Sequence, residues 1–241
     1  MEDKIYGKNA VLEALKSNIP LNKIYIAKGI HFDNKFNEIL NLAKEKGVPI
    51  KYVERSVIEK MVGGNSQGVL AIISSVPYRE WEDIEKTLDN KSVIVVLDHI
   101  QDPHNLGAIA RTSEFAGVSA IVIPKARSAG VTSASFKASA GALSYIPVVR
   151  VSNIANFLRE LKKKGWFIVG ADLDTENLYN QVNYRFPLAL VVGSEDEGLH
   201  RIVKESCDLL VKIPSYGKVE SLNVSVALGI ILYKIRESHE G

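Results

Sequence analysis

The sequence predicts an α/β protein built as two domains: a small three-layer α/β sandwich over residues 1–75, a linker over 76–90, and a larger parallel-sheet domain over 91–241. Three observations carry this reading. From Val93 onward, continuous apolar runs bounded by charge recur, the mark of strands buried on both faces. Amphipathic stretches with helical spacing separate those runs, which implies parallel strands with helices on both faces of the sheet. Before residue 76, short strands and helices alternate in quick succession.

In chain order, Lys8–Ser17 places Val11, Leu12 and Leu15 at helical spacing. Lys23–Ala27 alternates as a strand. Phe32–Lys46 is a second amphipathic helix, stopped by Gly47 and Pro49. Ile50–Val53 is a strand, Val57–Met61 a short helix ended by Gly63-Gly64, and Gly68–Ser74 an apolar strand. The stretch from Pro77 is acidic and lacks a strong apolar face until Ile84 and Leu88, so it reads as a linker running into a short helix. In the larger domain the predicted strands are Val93–Leu97, Ala120–Ile123, Pro147–Val149, Phe167–Gly170, Leu188–Val192 and Leu209–Ile213. The predicted helices are Leu106–Ala116, Ser133–Ala142, Ile154–Lys164, Leu199–Ser206 and Leu222–Arg236.

Composition narrows the class without naming a function. Apolar residues make up 46% of the 241 and charged residues 24%, an ordinary globular balance. Cys207 is the only cysteine, so no disulfide framework exists within one chain and a reducing, cytoplasmic setting is expected. The start lacks a basic region followed by an apolar run, and no stretch is apolar for long enough to suggest a membrane span. Net charge is +2, and residues 1–75 carry eleven Lys/Arg against eight Asp/Glu, a bias compatible with phosphate contact. The five histidines lack metal-ligand spacing along the chain, so no metal is expected.

In a parallel α/β sheet, ligands gather beyond the carboxyl ends of the strands. Three such ends concentrate polar residues. Asp98-His-Ile-Gln-Asp-Pro-His-Asn-Leu-Gly-Ala-Ile-Ala-Arg follows the first buried strand; Asn105 reads as a helix N-cap, Gly107 permits close backbone approach, and Arg111 follows within two turns. Gly193-Ser-Glu-Asp-Glu-Gly has the glycine interval of a phosphate loop but lacks the Lys-Ser/Thr that should follow, and its three acids would repel phosphate. Acidic loops suit cationic ligands or hydroxyls better. The third segment, Ile213 to Ala227, runs a strand into a helix start carrying Ser221, Asn223 and Ser225, where free backbone N–H groups bind polar atoms. Simple capping would need one such residue, not several.

Taken together, Ile100-Gln-Asp-Pro-His-Asn-Leu-Gly-Ala-Ile-Ala-Arg-Thr, Val191-Val-Gly-Ser-Glu-Asp-Glu-Gly-Leu and Ile213-Pro-Ser-Tyr-Gly-Lys-Val-Glu-Ser-Leu-Asn-Val-Ser resemble the SpoU, or TrmH, family of RNA ribose 2′-O-methyltransferases. Lys137-Ala-Ser-Ala-Gly-Ala-Leu is similar as well, and Tyr6-Gly-Lys-Asn-Ala-Val-Leu-Glu-Ala-Leu is similar to the family's L30e-like substrate-binding domain. The resemblance implies a catalytic domain with a deep trefoil knot, a homodimer with the active site near the subunit interface, and S-adenosylmethionine as cofactor. It places cofactor contacts at Gly193, Ile213, Leu222 and Asn223, and functional polar groups at Asn105, Arg111, Glu195, Ser221 and Asn223. RNA is the implied substrate: a guanosine of 23S rRNA first, tRNA second. Two departures stand out. Asp196 replaces a frequent glycine, and Ser66-Gln67-Gly68 replaces a frequent His-Gln-Gly, which weakens an RNA-contact role for position 66.

The implied chemistry sets the residue roles. A ribose hydroxyl is a poor nucleophile that must lose its proton as it attacks the donor methyl. The resemblance makes Arg111 the activator, either by pinning the target phosphate and stabilising an emerging alkoxide or through a transient neutral guanidine; Glu195 is the alternative proton acceptor. A non-catalytic RNA-binding protein is the rival reading, against which the intact polar set argues. A nucleotide-dependent dehydrogenase would want Gly-x-Gly-x-x-Gly after a strand, which is absent.

Overall fold

The computed structural model describes residues 4–16, 20–31, 33–64, 66–74, 76–194 and 197–240. It separates into two compact units, residues 1–77 with 130–134, and residues 78–129 with 135–241.

The first unit runs β1 (Lys4–Tyr6), α1 (Lys8–Lys16), β2 (Leu21–Ala27), α2 (Asn34–Glu45), β3 (Ile50–Val53), α3 (Arg55–Val62) and β4 (Val69–Ile73). Its sheet order is β1-β4-β2-β3, with β2 and β3 parallel and the other pairs antiparallel. Period-2 alternation sorts the strands onto two covered faces. Val69 and Ala71 point to the α1/α2 side with Val11, Leu15, Phe36 and Ile39, whereas Leu70 and Ile72 point to the α3 side with Ile58. The edge strand β1 is a difference from the sequence reading: three residues are too short to show a period. Asn22 sits at a bulge in β2 and donates from Nδ2 to the carbonyls of Ile73 and Val131. Ser66 is buried and its hydroxyl accepts from Gly68 N–H at 3.1 Å, so this side chain closes a turn.

The second unit runs α4 (Trp81–Glu85), β5 (Val93–Asp98), α5 (Pro103–Phe115), β6 (Ala120–Pro124), α6 (Ser133–Ala138), a 3-10 turn at Ala142–Ser144, β7 (Val148–Val151), α7 (Ile154–Lys163), β8 (Phe167–Ala171), β9 (Leu188–Gly193), α8 (Arg201–Lys204), β10 (Leu209–Val211) and α9 (Val224–Glu240), the first two residues of α6 counting with the first unit. Its six strands are all parallel, in the order β10-β8-β9-β5-β6-β7. Every residue of β5 and β9 is buried, which explains their unbroken apolar sequences. One sheet face packs Ile94, Val96, Ala189 and Val191 against Leu158 and Leu161 of α7 and Val203 of α8. On the second unit's other helices, α9 packs against α5 and β9.

Several boundaries differ from the sequence reading. Residues 78–90, read there as linker, contribute to the second unit: Trp81, Ile84 and Leu88 join the core beside Phe157 and Trp166, and Arg79 N–H donates to Val148 O. The predicted helix 133–142 ends at Ala138, and 199–206 shrinks to Arg201–Lys204 because residues 198–200 are drawn into a turn. The helix expected from Leu222 begins at Val224. Among the described residues no helix is long and apolar enough to cross a membrane.

Gly107 has a packing reason. A Cβ there would lie 2.5 Å from both Ser135 O and Ala138 Cβ, and 2.9 Å from Ser139 N. Gly107→Ala gains about 1 kcal/mol of helix propensity. Overpacking against backbone costs about 1–3 kcal/mol, however, and the obstructing atoms cannot rotate away. The variant is expected to unfold at lower denaturant concentration with an unchanged m-value; an equal or higher midpoint would show that α6 yields freely.

Candidate active site

Strand order reverses between β5 and β9, which leaves a crevice beyond their carboxyl ends. Asp98 and Gly193 are paired there in register. The loop after β9 folds straight back: Gly198 N–H donates to Ser194 O at 2.9 Å, and Glu197 N–H to Ser194 Oγ at 3.2 Å. This return passes so close to Gly193 that a Cβ would sit 2.0 Å from Gly198 O. Gly198 takes the left-handed conformation at φ 64°, which glycine adopts without a steric cost.

Two strand-end carboxylates pin the returning chain. Asp98, fully buried at the end of β5, accepts from His200 N–H at 2.8 Å. Asp172, just after β8, accepts from Leu199 N–H at 3.4 Å and Asp174 N–H at 2.9 Å and pairs with Lys204 at 2.8 Å. Next to this, Cys207 is inert: burial pushes its thiol up to about 12, and Sγ–H donates to Val203 O.

The third loop starts at β10. Lys212 N–H donates to Asn177 O, and Tyr179 N–H donates to Lys212 O, so the segment before β9 holds the chain leaving β10. Residues 215–223 then run exposed to the start of α9. Asn223 Oδ1 accepts from Ser225 N–H at 3.0 Å and from Ser225 Oγ–H at 2.5 Å, capping the helix. Its Nδ2 donates to Asn105 Oδ1 at 2.9 Å, across 118 positions of sequence. Asn105 is therefore not the N-cap of α5. Asp102 caps that helix by accepting from His104 N–H, with Pro103 in the first turn, and Asn105 is left to face Asn223.

A cavity of about 580 Å³ lies at the ends of β8, β9 and β10. Of the sequence-predicted residues, Gly193, Ile213, Ser221 and Leu222 line it. Asn223 and Asn105 do not line it but join each other at its margin of the fold, between α9 and α5. Arg111 is exposed on α5, makes no ion pair among the described residues, and does not line the cavity. Glu195 and Asp196 lie outside the described residues. The sequence reading missed Asp172, Glu197, Val224 and Ala227, all in the lining. Asp172 was within reach of it: this residue directly follows an apolar strand, the position where ligands of parallel sheets gather.

Residues 92–233 match a family model described as the SpoU rRNA Methylase family, and residues 4–79 match one described as RNA 2′-O ribose methyltransferase substrate binding. The chain is 43% identical to YacO of Bacillus subtilis, named as a TrmH family tRNA/rRNA methyltransferase, over 97% of this chain and 94% of that one. Among solved structures, an AdoMet-bound rRNA methyltransferase from Sinorhizobium meliloti aligns with TM-score 0.62 and 25% identity, covering 97% of this chain and 86% of the other. The SpoU methyltransferase AviRb from Streptomyces viridochromogenes shares the fold, with TM-score 0.63 and 21% identity, covering 100% and 91%.

Proposed function

The chain belongs to the SpoU rRNA methylase family, and from that premise we propose that it methylates a ribose 2′-OH of RNA, a guanosine of 23S rRNA first and a tRNA nucleotide second. It is an S-adenosylmethionine-dependent RNA methyltransferase. The observation that carries the finer reading is the bond between Asn105 and Asn223, which draws the first and third polar segments together beside the cavity.

The cavity fits the cofactor. Its volume lies within the usual 300–1,000 Å³ or so of small-molecule sites. Val192, Val211, Leu222 and Ile231 offer apolar surface for a heterocycle. Glu197 and Glu220 put negative charge on the same lining, suited to a ligand carrying sulfonium and ammonium groups. Gly193, Ile213 and Leu222 would hold it largely through main-chain atoms, with Asn223 fixing the loop behind them. When bound, S-adenosylmethionine supplies an electrophilic methyl group.

The protein's own part is positioning and charge. The planar guanidinium of Arg111 grips the target nucleotide's phosphate and stabilises negative charge growing on the 2′ oxygen. Asn105 and Asn223 hold the helix starts in register, Ser221 offers a hydroxyl from the lining, and Glu195 is the carboxylate available to take the proton. A homodimer is part of the proposal. Arg111 lies away from the cavity of its own chain, and Phe115, Tyr216, Val219 and Tyr233 expose apolar surface on α5, the third loop and α9, which supports a site completed at a subunit interface. A knotted chain is proposed too, supported by Asn177 and Tyr179 bonding over Lys212 before the chain returns to α5. The first unit, L30e-like in this proposal, would bind the RNA.

The test is a map of 2′-O-methyl groups in rRNA and tRNA from cells with and without the gene. One rRNA guanosine is expected to lose its methyl. Loss at a tRNA site would favour the second substrate. No loss anywhere, with no uptake of S-adenosylmethionine by the purified protein, would leave an RNA-binding protein.

A further inference from the structure

Outside the cavity, Asp98, His99 and His200 form a cluster whose linear spacing hid it: Asp98 and His200 are 102 positions apart. We propose that this cluster is a binding site for one divalent transition-metal ion of the zinc class, with His99 and His200 as ligands, which clips the loop after β9 to the end of β5.

The geometry supports two poised imidazoles. Asp98 is fully buried; one of its oxygens hydrogen-bonds His99 Nδ1, and the other lies 3.0 Å from His200 Nδ1. The Asp98 carboxylate thus faces the Nδ1 edge of both rings. A carboxylate hydrogen-bonded to an imidazole is the usual support behind metal-bound histidines. The two rings lie with centroids 3.9 Å apart, and one ligand atom from each of the three residues falls within 4.8 Å of the others. Glu197 adds an oxygen donor, its Oε2 standing 3.7 Å from His200 Nε2. Both rings are partly open to solvent, at 24% and 39%, so an ion has a path in.

The backbone adds an independent sign. His99 sits at φ 60°, a left-handed conformation that costs a non-glycine residue about 1–2 kcal/mol. That conformation sets its ring against His200. Imidazole pairs select zinc, copper, nickel or cobalt over magnesium or calcium. The consequence is mechanical: Ser194, Glu197 and Gly198 line the cavity, and His200 ends the same loop, so an ion at His200 restrains one wall of the cofactor site.

The experiment uses the full-length, chelator-treated protein, titrated with Zn²⁺ by calorimetry and with Co²⁺ by visible absorption. One ion per chain is expected, with slower hydrogen exchange at the amides of residues 198–200. The comparison is a His99→Asn/His200→Gln double variant; asparagine tolerates the left-handed backbone, and the His200 amide bond to Asp98 is retained. Its affinity is expected to drop by about tenfold or more. No metal uptake by the wild type, or undiminished uptake by the double variant with an intact melting profile, would reduce the cluster to a hydrogen-bonded brace. Because the readout is metal uptake, the result is independent of whether RNA is methylated.

Discussion

Arg111→Ala is expected to lower kcat for RNA methylation by about 10²–10³-fold while leaving S-adenosylmethionine affinity within about twofold. The side chain is exposed and makes no ion pair among the described residues, so the fold does not depend on it. Truncating such a surface residue changes stability by about 0.5 kcal/mol or less. The part of its proposed work that falls on charge appearing as the 2′ oxygen attacks moves kcat, whereas its grip on the phosphate also contributes to RNA binding, so turnover is compared at saturating RNA. Arg111→Lys keeps the charge but loses the planar fork that grips a phosphate, and should recover only part of the rate. Single-turnover assays with saturating RNA, beside a cofactor titration and a thermal melt, separate these effects. Near-wild-type turnover in the alanine variant would remove Arg111 from the mechanism and leave the proton to another group.

Gly193→Ala is expected to damage the cofactor site more than a methyl group added at any other described glycine of the second unit. The new Cβ would meet Gly198 O at 2.0 Å, Gly198 C at 2.2 Å and Leu199 N at 2.6 Å, all backbone atoms. The loop must therefore move as a whole. That breaks the short return between Ser194 and Gly198 and strains the amide bonds that Asp172 and Asp98 make to Leu199 and His200. A loss of about 1–3 kcal/mol in stability follows from overpacking. Because Gly193, Ser194, Glu197 and Gly198 all line the cavity, S-adenosylmethionine affinity should fall by about tenfold, or roughly 1.4 kcal/mol. Gly217→Ala serves as the comparison. It lies on the same lining but a Cβ there meets nothing within 4 Å, so its denaturation midpoint should not change. Calorimetric titration with the cofactor and urea denaturation of both variants provide the check; wild-type affinity in Gly193→Ala would mean that the 194–198 loop is not a fixed wall of the site.

The reading of the chain succeeded where a residue's burial is written into its neighbours. Val93–Leu97 and Leu188–Val192 are apolar without interruption because both sheet faces are covered, and they became the two central strands. It failed where an element is too short to carry a period, as with Lys4–Tyr6, or where a tertiary bond competes with a local one. Asn105 has the chemistry of a cap, but Asp102 takes that place and Asn105 turns to Asn223. The acidic stretch from Pro77 read as a linker running into a short helix, yet Trp81 packs into the core of the second unit together with Ile84 and Leu88.

Fold class, the six strands of the second unit and the three polar strand ends follow from local pattern, since hydrophobic periodicity and turn chemistry act over a few neighbouring residues. The pairing of Asn105 with Asn223, the contact of Gly193 with Gly198 and the meeting of His99 with His200 were settled by the order in which six parallel strands assemble. That order is set by which buried surfaces fit across the whole sheet, a condition spread over distant segments and written in no single one of them.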